Sequence, residues 1–134
     1  MRGMNQVIAP AGVSLPAANY ALAIGTTGAA RWLHTAGIVG GDADGVVPPT
    51  IGEQARNIWR TIGKLLEEAS MPVASIVAVT TYVVAAADLE DRLAAVMQER
   101  DRFVESHLAA STLVTVPRLV REEWFVEIAV IAAR

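Results

Sequence analysis

Apolar and polar positions alternate with two different periods along this chain. From Ile51 to Ala69 the residues Ile51, Ala55, Ile58, Trp59, Ile62, Leu65, Leu66 and Ala69 recur at helical spacing. Glu53, Arg56, Arg60, Lys64, Glu67 and Glu68 mostly occupy the other side. This is one stripe of about five turns, the pattern of an amphipathic helix. Thr50 and Glu53 form a capping box directly after two prolines, and Ser70 to Pro72 closes the helix. A second helix is predicted from Asp88 as N-cap, with its stripe on Leu89, Leu93, Val96, Met97, Phe103 and Val104. Charges from Glu90 to Glu105 should cover its outside, and it fades near His107.

Other stretches carry strand patterns. Ser75 to Val84 (SIVAVTTYVV) and Trp124 to Ala133 are almost continuously apolar, as strands buried on both faces are. Ser111 to Val116 is a further strand, joined to the last by a charged, Pro-containing turn. Ahead of the first helix, Asn5 to Pro10, Tyr20 to Ile24 and Arg31 to Val39 read as three weaker strands. Ala11 to Asn19, Gly25 to Ala30 and Gly40 to Pro49 are loops by composition. Gly37, inside the third strand, points to a bulge or a close backbone approach.

The order is β-β-β-α-β-α-β-β, an α+β domain spanning residues 1–134, with two helices on one face of one mixed sheet. The chain offers no third layer, so the second face of the sheet is expected to be covered by self-association. The sequence has no Cys, which excludes disulfides and thiolate chemistry. Its 11 basic residues are scattered and its net charge is −3, so no nucleic-acid footprint is visible. The start lacks an apolar signal region, and the longest apolar-rich run, Ile76 to Ala87, is short of the roughly 20 residues of a membrane span. A cytoplasmic protein without membrane contact is expected.

Glu127 is the one charged residue in the last strand run. A carboxylate among Phe125, Ala129 and Ile131 is a credible general acid/base, or else an interface glutamate satisfied by a backbone N–H or a neighbour's Arg. His34 and His107 lie far apart with no further ligand cluster, so no metal site is expected.

The order of elements, the helix opening QARNIWRTIGKLLEEASM, the strand SIVAVTTYVV and the close ASTLVTVPRLVREEWFVEIAVIAAR resemble the RidA (YjgF, or L-PSP) family of reactive-intermediate deaminases. LPAANYALAI and WLHTAGIVG look like weaker versions of the family's opening. The resemblance implies a chorismate-mutase-like fold, a homotrimer packed sheet to sheet, and ligand clefts between neighbours. It implies hydrolysis of imines and enamines without metal or organic cofactor, with the glutamate matching Glu127 handling the water. It also exposes departures. The family's carboxylate-holding arginine falls at Ala110, followed by Ser111 and then Thr112. A Ser-Gly-Gln run appears as Ala36-Gly37-Ile38, and a helical Asn matches Met97. Tyr20 and Gly37 remain. Arg118 or Arg121 could supply the lost cation from another direction. The expected ligand set is therefore Tyr20, Ala36, Gly37, Met97, Ala110, Ser111 and Thr112 around a catalytic Glu127. The function this implies is Glu127-assisted water chemistry on an unidentified small metabolite, in place of 2-iminobutanoate or 2-iminopropanoate deamination. The alternatives are a non-catalytic trimeric metabolite-binding or interaction protein and, ranked below it, the family's imine deaminase itself. The family's older endoribonuclease label finds no support in this acidic sequence.

Overall fold

The capping box forms. In the computed structural model, which describes residues 4–134, the Thr50 hydroxyl accepts the Glu53 N–H at 3.3 Å and donates to the Glu53 carboxylate at 2.8 Å. It opens α1 (Ile51–Glu68), whose stripe Ile51, Ala55, Ile58, Trp59, Ile62 and Leu66 is buried, whereas Leu65, assigned to the stripe by spacing, lies at its margin and is exposed. The second helix, α2 (Leu89–Val104), packs against α1. Its start departs from expectation. Asp88 makes no capping hydrogen bond, and its carboxylate pairs with Arg92 at 3.0 Å one turn on. Nor do all the charges of α2 lie outside, because Glu99 and Arg100 are buried. Glu99 is drawn inward by Arg56 of α1 at 3.1 Å and Arg102 at 2.8 Å, which ties the two helices together. The hydrogen bond and charge of Glu99 hold the Arg56 guanidinium above its ordinary value.

The strands are β1 (Asn5–Val7), β2 (Ile24–Thr26), β3 (Trp32–His34), β4 (Ile38–Val39), β5 (Ile76–Val84), β6 (Ala110–Val116) and β7 (Val126–Ala133). The main sheet runs β3-β7-β5-β6, with β4 also on β7. β5 and β6 are parallel and the other pairs antiparallel, so the sheet is mixed. The N-terminal part differs from the sequence reading in detail. β1 and β2 form their own two-stranded ladder, and the strand expected at Tyr20–Ile24 begins only at Ile24. The third expected strand is broken between His34 and Ile38. Thr35 binds Val130 twice there, its N–H donating to the carbonyl at 3.0 Å and its hydroxyl accepting the Val130 N–H at 3.0 Å. That side-chain bond replaces a ladder bond and lets the chain bulge before β4.

Side chains in a strand alternate between faces. Val79 and Val83 of β5 and Val126, Ile128, Val130 and Ala132 of β7 join the helical stripes in one core. Each large side chain there contributes about 1.5–3 kcal/mol by leaving water. The opposite face carries Ala78, Thr80 and Tyr82 of β5 and Glu127, Ala129 and Ile131 of β7, all only half-buried. That bare face is the one the sequence predicts. Among the described residues no helix is long and apolar enough to cross a membrane.

Candidate functional site

Register decides what surrounds Glu127. It stands opposite Tyr82 of β5 and opposite Val39 of β4, so it projects from the bare face between a phenol and an aliphatic side chain. The bulge after β3 brings Gly37 against it. A Cβ at Gly37 would overlap the carboxylate, lying 2.6 Å from Cδ and 2.9 Å from Cγ of Glu127. Gly37 thus leaves the room that the glutamate occupies, and Ala36 sits exposed beside it. Among the described residues, the Glu127 carboxylate forms none of the salt bridges, all of which lie elsewhere. It is half-buried at the surface of one chain, a wetter setting than its apolar sequence neighbours suggest.

The remaining candidates fall into separate groups. Thr80 pairs with both Ala129 and Thr112, and Ala78 with both Ile131 and Ala110. Thr112 and Ala110 therefore share the face of Glu127 but lie on the far edge strand. Four residues along the strand and two strands across separate Ala110 from Glu127, about 16 Å by standard sheet spacings. Tyr20 lies at the Ala110 end, since Ala21 bridges to Ala110 and its N–H donates to the Ala109 carbonyl at 2.9 Å. The Tyr20 hydroxyl accepts the Ala17 N–H at 3.4 Å within its own loop. Ser111 shares the register of buried Val79 and faces the helices, and Met97 belongs to α2 in that same layer. One chain thus holds Glu127, Gly37 and Ala36 at one place and Ala110, Thr112 and Tyr20 at another. It does not bring Ser111 or Met97 to either.

Some residues that shape the site are not evident in the sequence reading. Tyr82 is one, because its pairing with Glu127 needs the register. Gln54 is another, and it left a signal as the one amide on the buried stripe of α1. It is fully buried. Its Nε2 donates to the carbonyls of Pro48 and Glu123 at 3.0 and 2.9 Å, and its Oε1 accepts the Phe125 N–H at 2.9 Å. It thereby fixes both the loop before α1 and the entry to β7 that aims Glu127. Arg118 donates to the carbonyls of Leu119 and Val120 and serves its own turn. Arg121 instead lies over the Trp124 ring, 5.4 Å from its centroid. His107 donates from Nε2 to the Ile76 carbonyl at 2.7 Å, a structural role. Trp32 and His34 stack at the β3 edge. Among the described residues no cluster of three or more His, Asp or Glu could hold a metal ion.

Residues 12–134 match the family model described as Endoribonuclease L-PSP. No curated protein matches the sequence. Among solved structures, a protein of unknown function of the conserved Rid family from Yersinia pestis superposes with a TM-score of 0.84 at 26% identity, over 98% of this chain and 99% of that one. A YjgF-family protein from Neisseria meningitidis gives 0.63 at 27% identity, over 86% and 87% of the two chains. A putative endoribonuclease from Thermotoga maritima gives 0.69 over 98% of each chain, and at 21% identity it speaks for the fold alone.

Proposed function

The chain belongs to the endoribonuclease L-PSP (YjgF/Rid) family, and from that premise we propose that it is a divergent member. In this reading it acts as a homotrimer whose clefts lie between subunits, and Glu127 accepts a proton from water as that water attacks a small metabolite. The observation that carries the reading is the Glu127 carboxylate, held on the bare sheet face in a space that Gly37 leaves for it. The separation of about 16 Å within one chain supports a shared cleft, because a small molecule reaching both Glu127 and the Ala110 end needs them from two copies.

Position 110 argues against the family's imine deaminase activity. A guanidinium there would hold a substrate carboxylate by two charge-assisted bonds, and a methyl group cannot. Ala36 and Ala110 make those parts of the cleft apolar, which suits a bulkier molecule. The second reading is a non-catalytic trimer that binds a metabolite. The missing arginine favours it as much as it favours an altered enzyme. Strands β5, β6 and β7 carry no Lys or Arg, so the sheet face itself gives ribonuclease chemistry no support.

The test generates 2-iminobutanoate in situ and follows its loss. The wild type should give no acceleration, and Ala110→Arg should give some. Acceleration by the wild type that Glu127→Gln abolishes would restore the imine deaminase. A thermal-shift screen of metabolites then supplies a ligand, and turnover of that ligand lost in Glu127→Gln separates enzyme from binder.

A further inference from the structure

We infer that the groove beside Glu127 is an anion subsite, in which Arg121 and Trp124 take the carboxylate and planar body of a small monocarboxylic acid. This deepens the function proposed above and rests on it. The groove has a volume of about 550 Å³ and is bordered by Val39, Gly41, Val47, Arg121, Glu123 and Trp124. That volume is in the range of small-molecule sites. Val39 is the cross-strand partner of Glu127, so the groove lies one strand over from the carboxylate, which does not itself line it.

Its chemistry is specific. The Arg121 guanidinium lies over the indole of Trp124, and among the described residues it forms none of the salt bridges. A guanidinium stacked on a ring keeps its N–H edge open for a carboxylate, while the ring offers a surface for a flat apolar body. Glu123 stands on the same rim, and its backbone carbonyl is fixed by Gln54. Its negative charge limits the anion to one charge, since a dicarboxylate would bring a second carboxylate against it. This cation lies on the β4 side of Glu127, away from Ala110 on β6, so it holds a carboxylate in a different pose from the one a guanidinium at position 110 would give.

The experiment measures binding of 3-phenylpropanoate and indole-3-acetate, their primary amides, and phenylsuccinate as the dicarboxylate, by calorimetry on the full-length protein. The acids should bind at least tenfold tighter than the amides, and weaken with added salt. Arg121→Gln should cost the acids about tenfold and leave the amides unchanged, with Arg121→Lys recovering part of the loss. Phenylsuccinate should bind only after Glu123→Gln. Equal affinity for acid and amide, acid binding unaffected by Arg121→Gln, or no binding of any acid at millimolar concentration overturns the proposal. Turnover of a screened ligand that needs Glu127 but ignores Arg121 would sink this inference and spare the function proposed above.

Discussion

Replacing Gly37 with Ala tests whether Glu127 occupies its position by virtue of that glycine. The new Cβ would lie 2.6 Å from Cδ and 2.9 Å from Cγ of Glu127, well inside contact distance. One of the two must give. The clash is with a side chain, so the carboxylate swings away from the bulge. Overpacking of this kind costs about 1–3 kcal/mol. Replacing Gly also restricts the unfolded chain, which offsets about 0.4–1 kcal/mol. The net loss is then about 0–2.6 kcal/mol. At the usual unfolding entropy per residue, each kcal/mol lowers Tm of a 134-residue chain by about 4 °C. Stability alone is therefore a weak reporter, and the informative quantity is coupling. In a double-mutant cycle with Glu127→Ala, the carboxylate that clashes is absent, so Gly37→Ala should become neutral or stabilising. Denaturant unfolding should give a coupling of about 1–2 kcal/mol. Activity or ligand binding that needs Glu127 should fall in Gly37→Ala even where the fold is intact. Additive effects of the two substitutions would show that Gly37 does not set the position of Glu127.

Gln54→Ala removes an amide that makes three hydrogen bonds to backbone groups. The change should cost about 2–4 kcal/mol, because the Phe125 N–H and two carbonyls lose their partner, and hydrogen exchange at Phe125 should speed up. Trp59 has a buried Nε1 without a partner and stacks on Phe103 at 4.9 Å. Trp59→Phe relieves that orphan donor while keeping a ring, so its unfolding free energy should change by less than about 1 kcal/mol; a loss near 3 kcal/mol would show a missing bond. The Arg56–Glu99 pair raises the guanidinium's proton affinity. A raised folded value contributes stability that is complete below the unfolded value and lost only as pH rises through the folded one. An arginine stays protonated far above neutral pH in both states, so the stability difference between wild type and Arg56→Ala should be flat from about pH 7 to 10, as denaturant midpoints would report.

The sequence made some of this legible and hid the rest for physical reasons. The stripe of α1 and its Thr50–Glu53 cap are local patterns, and both appear where the spacing puts them, save for the exposed Leu65. The two apolar strands and the bare face follow from composition, because a strand apolar on both sides needs two coverings. The break at Thr35 to Gly37 was flagged by its glycine, but its cause is a bond to Val130 far along the chain. Asp88 had the right position for a cap yet pairs with Arg92, a choice between two local bonds that spacing does not decide. Glu99 looked like a surface charge and is buried because Arg56 lies across the helix interface. Glu127 could be singled out by its isolation, whereas Tyr82, Val39 and the groove beside them depend on register. Resemblance alone assigns Ser111 to the ligand set, and one chain turns it toward the helices.

In the proposed trimer, further copies of the chain cover the bare face carrying Glu127, so that each cleft is shared. Light scattering on the purified protein at micromolar concentration tests it most directly. A trimer has a mass three times that of the 14.2 kDa chain, and that is the expected result. A mass equal to one chain would contradict it.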